Sequence, residues 1–157
     1  MPPVLARLRF LSVVLLLAVW WGGFTFYALV VVPTGHHVLR SKVRQGFITQ
    51  QVTNKLNALG VVTLVALAWQ VIAVRREKSR RWLRVATISW AAQAVTLAVL
   101  FWLHPHLDAL LDPVARSVID DEKFYALHRW YLIVATAQWL AGLVHAGTLL
   151  GENSAKP

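Results

Sequence analysis

Four long stretches of this chain contain no charged side chain, and they constrain its fold more than any other feature. Aspartate, glutamate, lysine and arginine are all missing from residues 10–39, 56–74, 85–107 and 130–151. A helix needs roughly 20 apolar residues to cross the hydrocarbon core of a bilayer. A soluble helix of that length would carry a charged outer face. The sequence therefore predicts an all-α integral membrane protein with four transmembrane helices.

The composition agrees with a membrane protein. Hydrophobic residues make up 57% of the 157-residue chain and charged residues only 15%, against roughly 25% charged in ordinary soluble domains. The absence of cysteine excludes disulfides, thiolate catalysis and cysteine metal sites. Arg7 and Arg9 before an apolar run are also typical of a signal peptide, but the apolar region of a signal peptide is only about 7–15 residues long. We therefore expect the first apolar segment to be retained as a span.

The predicted spans belong to one transmembrane domain, residues 1–157, and cover residues 8–32, 52–74, 82–103 and 124–150. Pro33 and Gly35 are expected to end the first of them. Short connections between successive spans favour antiparallel neighbours, so we predict an up-down four-helix bundle.

The connection before the last span has an apolar pattern of its own. Its apolar residues recur at three- and four-residue steps, at Leu107, Leu110, Leu111, Val114 and Val118. This spacing predicts a short amphipathic helix that lies on the membrane or caps the bundle.

Basic residues are divided unevenly between the two predicted sides of the membrane. Residues 75–84, between spans two and three, hold six Lys or Arg. With Arg7, Arg9 and Lys156 they place nine basic residues on one side and leave seven on the other. Because cytoplasmic loops are enriched in Lys and Arg, we expect both termini in the cytoplasm and the protein in a bacterial plasma membrane. The net charge of +9 then reflects topology rather than nucleic-acid binding.

Histidines gather at the predicted outer end of the bundle. Imidazole is a common ligand of zinc, copper, iron and haem iron. The candidates for cofactor binding are His36, His37, His104 and His128, and the candidates for a metal site are His36, His104, His106 and His128. The alternative is that these side chains only hydrogen-bond loop carbonyls and lipid headgroups. The sequence leaves both readings open, so a metal or haem is one option and the cofactor is otherwise unknown.

A second set of polar residues lies within the predicted spans. Lipid penalises such side chains, so they are expected to face the bundle interior: Asn54, Asn57, Gln93, Gln138 and His145. In span four a heptad stripe, which stays turned towards a partner helix in a left-handed bundle, runs through residues 128, 131, 135, 138, 142 and 145. The stripe would suit quinone binding or proton conduction. It would equally suit interhelical hydrogen bonds worth about 1 kcal/mol or less each.

Three short segments carry a family resemblance. They are WGGFTFY at residues 21–27 with VVP at 31–33, GFIT at 46–49 with VTNKLN at 52–57, and HRWY at 128–131. In these segments the chain resembles a family of small, uncharacterised bacterial four-helix membrane proteins. More remotely, its layout is similar to the anthrone-oxygenase-like membrane families. The resemblance implies a four-helix membrane fold and no assigned catalytic residues.

Three functions remain open at this stage. The first is a non-catalytic scaffold or accessory membrane subunit with a His-rich polar pocket at the outer face. The second is a metal-, haem- or quinone-dependent redox or oxygenase-like enzyme, and the third is a small transporter or proton-conducting protein. The expected partners are the lipid bilayer and a membrane protein or a second copy of the chain. We expect no nucleic-acid partner, because no aromatic-interleaved soluble surface is present.

Overall fold

All four charge-free stretches form helices in the computed structural model, which describes residues 3–151. The elements are α1 (Pro3–Phe26), a π-helical turn (Tyr27–Val31), α2 (Val32–Leu39), α3 (Lys42–Val74), α4 (Arg80–Asp108), β1 (Leu111–Asp112), β2 (Ser117–Val118) and α5 (Asp121–Leu150). Four helical segments are long and apolar enough to cross a membrane, namely the continuous run from α1 to α2, then α3, α4 and α5. The prediction of four such helices is confirmed. Lys156, counted among the inner basic residues, lies outside the described residues.

The helices extend beyond the stretches predicted to lie in lipid. α3 begins at Lys42, well before the predicted span that starts at residue 52. Ser41 caps its first turn, because the Ser41 hydroxyl oxygen accepts a hydrogen bond from the Arg44 backbone N–H at 3.3 Å. The charge-free stretch therefore marks the apolar part of the helix and not its ends.

The first helix continues past Pro33 instead of ending there. Proline has no N–H to donate to the preceding turn, and the chain accommodates this with the π-helical turn that precedes α2. Pro33 then stands in the first turn of α2, where a missing N–H is tolerated. The helix ends at Arg40, whose φ of 48° is left-handed and whose N–H donates to the His36 carbonyl at 3.2 Å. The expectation that Pro33 and Gly35 end the helix was wrong.

The connection between α4 and α5 holds a β-hairpin where an amphipathic helix was predicted. Leu111 pairs with Val118 across two antiparallel strands. One carboxylate oxygen of Asp112 accepts hydrogen bonds from the backbone N–H groups of Val114 and Ala115, at 2.8 and 2.9 Å. An aspartate that bonds the backbone ahead of it favours a turn over a helix. The apolar periodicity was therefore a misleading signal in this segment.

Each long helix packs against two of the others. Contacts join α1 to α3, α3 to α4, α4 to α5 and α5 to α1. Arg9 donates to the Gln70 side-chain oxygen at 2.8 Å, and the Tyr27 hydroxyl donates to the Thr49 hydroxyl at 2.8 Å. Since these bonds join the start of α1 to the end of α3 and the reverse, the two helices run antiparallel. We call the end with the β-hairpin the hairpin end and the end with residues 75–79 the basic end.

Two apolar clusters fill most of the interior. The cluster towards the basic end consists of Val13, Leu17, Trp20, Leu64, Leu67, Leu97 and Leu149. The cluster towards the hairpin end consists of Leu100, Leu103, Leu107, Tyr131 and Ala135. α5 buries Tyr131, Ala135, Gln138, Gly142, His145 and Leu149. The heptad stripe predicted for this helix is thereby confirmed as its packed face from residue 131 onwards.

Candidate functional site

Polar side chains from every long helical segment converge at the hairpin end. α3 contributes four residues at four-residue steps, which face the interior because they share one side of the helix. The set, which we call the hairpin-end cluster, is Tyr27, Gln45, Thr49, Thr53, Asn57, His104, Asp108 and Tyr131. It lies directly above the apolar cluster of that end, because Tyr131 belongs to both.

Tyr131 is the central hydroxyl of this cluster. Its oxygen accepts a hydrogen bond from the Asn57 side-chain amide at 3.3 Å, and Thr53 lies beside the same hydroxyl. Asn57 is buried, with only 3% of its surface exposed. The Asn57 amide is the donor in this bond, and the Thr53 hydroxyl donates to the Thr49 carbonyl. The hydroxyl proton of Tyr131 can therefore go to the Thr53 oxygen or to a bound acceptor.

His104 brings an ionisable pair to the cluster. Its ring centre lies 6.3 Å from the ring centre of Tyr131. Its Nε2 atom lies 3.5 Å from a carboxylate oxygen of Asp108, one helical turn later. That separation is at the limit of a hydrogen bond, and the His104 side chain is only 12% exposed. The two side chains are therefore close enough to attract each other when His104 carries a second ring proton.

Gln45 is the second unusual member of the cluster. It is 2% exposed, and its amide nitrogen and oxygen form no well-aligned hydrogen bond with the described residues, although the Tyr27 hydroxyl lies beside the amide. A Cβ on Gly35 would collide with the Gln45 amide, so the amide packs onto the α2 backbone where only glycine leaves room. A buried amide without partners costs about 1–3 kcal/mol, which marks it as a group that a bound molecule would satisfy.

The histidines predicted as ligands do not gather at one point. His36, His37 and His106 are exposed, whereas His104 and His128 are half-buried. Among residues 3–151 no group of three His, Asp or Glu side chains is placed to hold a metal ion. No three of the predicted histidine ligands are therefore placed to share one metal ion in this part of the chain, and cofactor binding by these histidines stays a prediction.

Two of these histidines pack on aromatic rings. His128 stacks on Phe124 with ring centres 5.9 Å apart. His106 packs on Trp102 at 4.7 Å, and its Nδ1 atom lies 2.7 Å from the Trp102 carbonyl oxygen. Both side chains thus have structural contacts within their own helix.

Four of the five predicted interior residues are buried. Asn57, Gln93, Gln138 and His145 lie inside the bundle, whereas Asn54 is exposed and lies about 100° around α3 from Thr53. The sequence does not separate Asn54 from Asn57 by residue type. The separating signal is the four-residue spacing of Gln45, Thr49, Thr53 and Asn57, and the first three of these were missed.

A second polar region, which we call the core seam, joins α4 to α5 near mid-bundle: Ser89, Gln93, Gln138, Gly142 and His145. The Ser89 hydroxyl lies 2.9 Å from Nδ1 of His145 and donates to the Ala86 carbonyl at 3.1 Å. The Gln93 amide nitrogen donates to the Ser89 carbonyl at 3.2 Å.

Two stacked tryptophans close the core seam on the α1 side. The rings of Trp21 and Trp139 are 5.0 Å apart at 20°, and the Trp21 indole N–H donates to the Trp139 carbonyl at 3.1 Å. The Trp139 indole N–H donates to the Thr25 hydroxyl at 2.8 Å. A Cβ on Gly142 would lie 2.9 Å from Trp21, so glycine permits this close packing.

Comparison of the chain with protein-family models, curated proteins and solved structures finds no match. The resemblance to small bacterial four-helix membrane proteins stays a prediction, and the function must be argued from the site itself.

Proposed function

We propose that this chain is an up-down four-helix bundle of a bacterial plasma membrane, with both termini in the cytoplasm. Antiparallel packing of α1 and α3 and the short connections between the helices support this arrangement. Orientation rests on the six basic residues in the ten positions 75–84. On this topology the hairpin end faces away from the cytoplasm.

The role that we propose is that of an accessory membrane component that binds a small lipid-soluble molecule with a hydrogen-bonding head. The observation that carries this proposal is the convergence of polar side chains from all the long helical segments at the hairpin end, directly above an apolar cluster. A site with polar side chains next to apolar ones suits an amphipathic ligand. A quinone-type carbonyl head matches the available donors, which are the Tyr131 hydroxyl and the Gln45 amide.

The cluster offers the ligand two kinds of contact. The Tyr131 hydroxyl, held by Asn57, donates to a ligand oxygen, and the Gln45 amide beside Tyr27 supplies a second donor. His104, with Asp108 one turn behind it, accepts or returns a proton at the ligand head. Redox chemistry on the ligand would need an electron carrier in addition to these residues.

The test is calorimetric titration of the purified protein with decylubiquinone in detergent. We expect saturable binding that Tyr131→Phe weakens about tenfold, since a lost hydrogen bond of about 1.4 kcal/mol corresponds to that factor. His36→Ala, at an exposed position, is the matched control and should bind normally. Absence of saturable binding, or equal binding by the Tyr131→Phe protein, would contradict the proposal.

An elemental analysis and an absorption spectrum of the same preparation test the redox alternative. The ligand-binding role requires no co-purified metal and no haem band. Stoichiometric metal or a visible band, lost when His104 and His128 are both replaced, would instead favour the metal- or haem-dependent enzyme.

A second candidate function is proton conduction, and a specific observation favours it. Buried polar side chains, with the half-buried His104, occur at successive depths along α4 and α5: His104 and Tyr131 at the hairpin end, Gln93 and Gln138 near the middle, and Ser89 with His145 towards the basic end. Vesicles with the protein and trapped pyranine would report conduction as a pH change under an imposed gradient. His145→Leu should abolish that flux, whereas a flux equal to that of protein-free vesicles would exclude the role.

A further inference from the structure

The core seam contains three buried polar atoms without a protein partner. They are the side-chain oxygen of Gln93, the side-chain nitrogen of Gln138 and Nε2 of His145. Gln93 and His145 are 0% exposed and Gln138 is 5% exposed. Lipid cannot hydrogen-bond them, and each unsatisfied group in a bilayer core costs several kcal/mol. Something other than the described side chains must satisfy these atoms.

The hydrogen-bond roles of two of the three atoms follow from their neighbours. The Gln93 oxygen is an acceptor, because its nitrogen donates to the Ser89 carbonyl, and the Gln138 nitrogen is a donor. Ser89 contacts both the Ala86 carbonyl and Nδ1 of His145, so Nε2 of His145 accepts or donates according to the ring tautomer. A donor and an acceptor match a molecule that both accepts and donates hydrogen bonds.

The space beside Gln138 limits the size of that molecule. A cavity of about 10 Å³ is bounded by Ala135 and Gln138 together with four aromatic side chains, Trp20, Trp21, Phe24 and Trp139. This volume is close to the minimum that holds one water molecule, and it is far too small for a ring. The bundle is tightly packed beside it at Gly142, since a Cβ there would lie 3.5 Å from the Gln93 oxygen and 2.9 Å from Trp21.

We propose that ordered water occupies the core seam as a built site in the middle of the bundle. A water in the cavity accepts a hydrogen bond from the Gln138 nitrogen. His145 does not line this cavity and is two helical turns from Gln138, roughly 10 Å along α5, so a second water beside Nε2 of His145 is part of the proposal. The site is separate from the hairpin-end cluster and does not depend on the ligand proposed there.

Radiolytic footprinting of the detergent-purified protein tests this site directly. Short X-ray pulses split water into hydroxyl radicals that modify the side chains next to it, and mass spectrometry locates the products. After each rate is divided by the intrinsic reactivity of its amino-acid type, we expect His145, at 0% exposure, and the half-buried Trp139 to be modified several-fold faster than Leu67 and Leu100, which are 0% exposed and lie in the apolar clusters. Modification of His145 and Trp139 no faster than of these leucines would overturn the proposal.

A variant separates bound water from general looseness of the bundle. Gln93→Leu combined with Gln138→Leu removes a water acceptor and a water donor while keeping bulk, so modification at Trp139 should fall to the level of the leucines. Thr63→Val is the matched control, because the Thr63 hydroxyl is equally buried but donates to the Leu59 carbonyl outside the seam. Unchanged modification at Trp139 in the double variant, or an equal loss in Thr63→Val, would show that the seam does not bind water through its amides.

Discussion

At the scale of single residues, the polar side chains of this bundle divide into those with partners and those without. Asn57 with Tyr131, and Trp139 with Thr25, join different helices through their side chains. The amides of Gln45, Gln93 and Gln138 keep atoms without protein partners. Satisfied groups hold the helices in register, whereas the unsatisfied ones mark places where another molecule is needed. Both proposed sites follow from this division.

The Tyr131 hydroxyl contributes measurably to stability. Tyr131→Phe removes the acceptor for Asn57 and leaves its amide buried, which should lower the free energy of unfolding by about 0.6–1.7 kcal/mol, the range found for interhelical hydrogen bonds in membranes. Denaturation in mixed micelles measures the change. The control is Thr136→Val, because the exposed Thr136 hydroxyl bonds only the Leu132 carbonyl of its own helix. Equal stability of the two variants would mean that the Asn57 bond contributes nothing.

Two glycines of α5 should respond in opposite ways to an added methyl group. In Gly142→Ala the new Cβ would lie 2.9 Å from Trp21, and forced repacking of this kind costs about 1–3 kcal/mol. A Cβ at Gly147 meets nothing within 4 Å, and alanine is favoured over glycine inside a helix by up to about 1 kcal/mol. Thermal unfolding should show a loss for Gly142→Ala and none for Gly147→Ala. A larger loss in Gly147→Ala would contradict the packing described.

Residue type and spacing predicted part of the candidate site and missed the rest. Gln93, Gln138 and His145 stand alone in apolar surroundings, so lipid exclusion alone predicts their burial. Asn54 and Asn57 are alike in chemistry, and only the helix phase separates them. That phase is visible in the half-buried Thr49 and the buried Thr53, whose hydroxyls also bond their own helix backbone. A threonine hydroxyl that bonds the backbone of its own helix can face lipid or the interior, so the residue type alone does not show which side of the helix is buried.

At the scale of elements, backbone hydrogen bonds explain two features that the apolar sequence patterns did not predict. Pro33 was expected to end the first helix. Instead, the π-helical turn before it accommodates the missing backbone N–H, and the helix continues to Leu39. The connection after α4 had helical spacing, but Asp112 closes a turn and the segment pairs as strands. Both errors concern hydrogen bonds of one or two backbone groups, which hydrophobic periodicity does not report.

The stability of the first turn of α5 should depend on pH. The Lys123 backbone N–H donates to Asp120 at 3.0 Å and holds the pKa of this carboxyl group below its ordinary value. The unfolded chain then binds the proton more readily, so the cap stabilises α5 at neutral pH and is lost as the pH falls through the lowered pKa. We expect hydrogen-exchange protection in the first turn of α5 to fall below about pH 4. Asp120→Asn keeps a capping side chain without a titration, and the same loss of protection in that variant would refute the assignment.

At the scale of the whole molecule, the four apolar helices follow from the four charge-free stretches with little ambiguity. The convergence of polar side chains at one end does not follow from the sequence in the same way. It depends on which helices are neighbours and on how each helix is rotated about its axis. The side chains concerned are Tyr27, Gln45, His104 and Tyr131. Membrane topology fixes which side of the bilayer this end faces. The ligand proposal and the proton-conduction candidate both depend on that side, so topology is the claim to test first.

Labelling of single cysteines in intact cells measures the topology most directly, because the chain contains no cysteine of its own. Glu77→Cys at the basic end and Ser117→Cys in the β-hairpin both introduce a thiol at an exposed position and leave every basic residue in place. We expect a membrane-impermeant maleimide to label Ser117→Cys in intact cells and to label Glu77→Cys only after the membrane is opened. Labelling of both thiols from the same side would contradict the four-span account, and the reverse pattern would contradict the orientation.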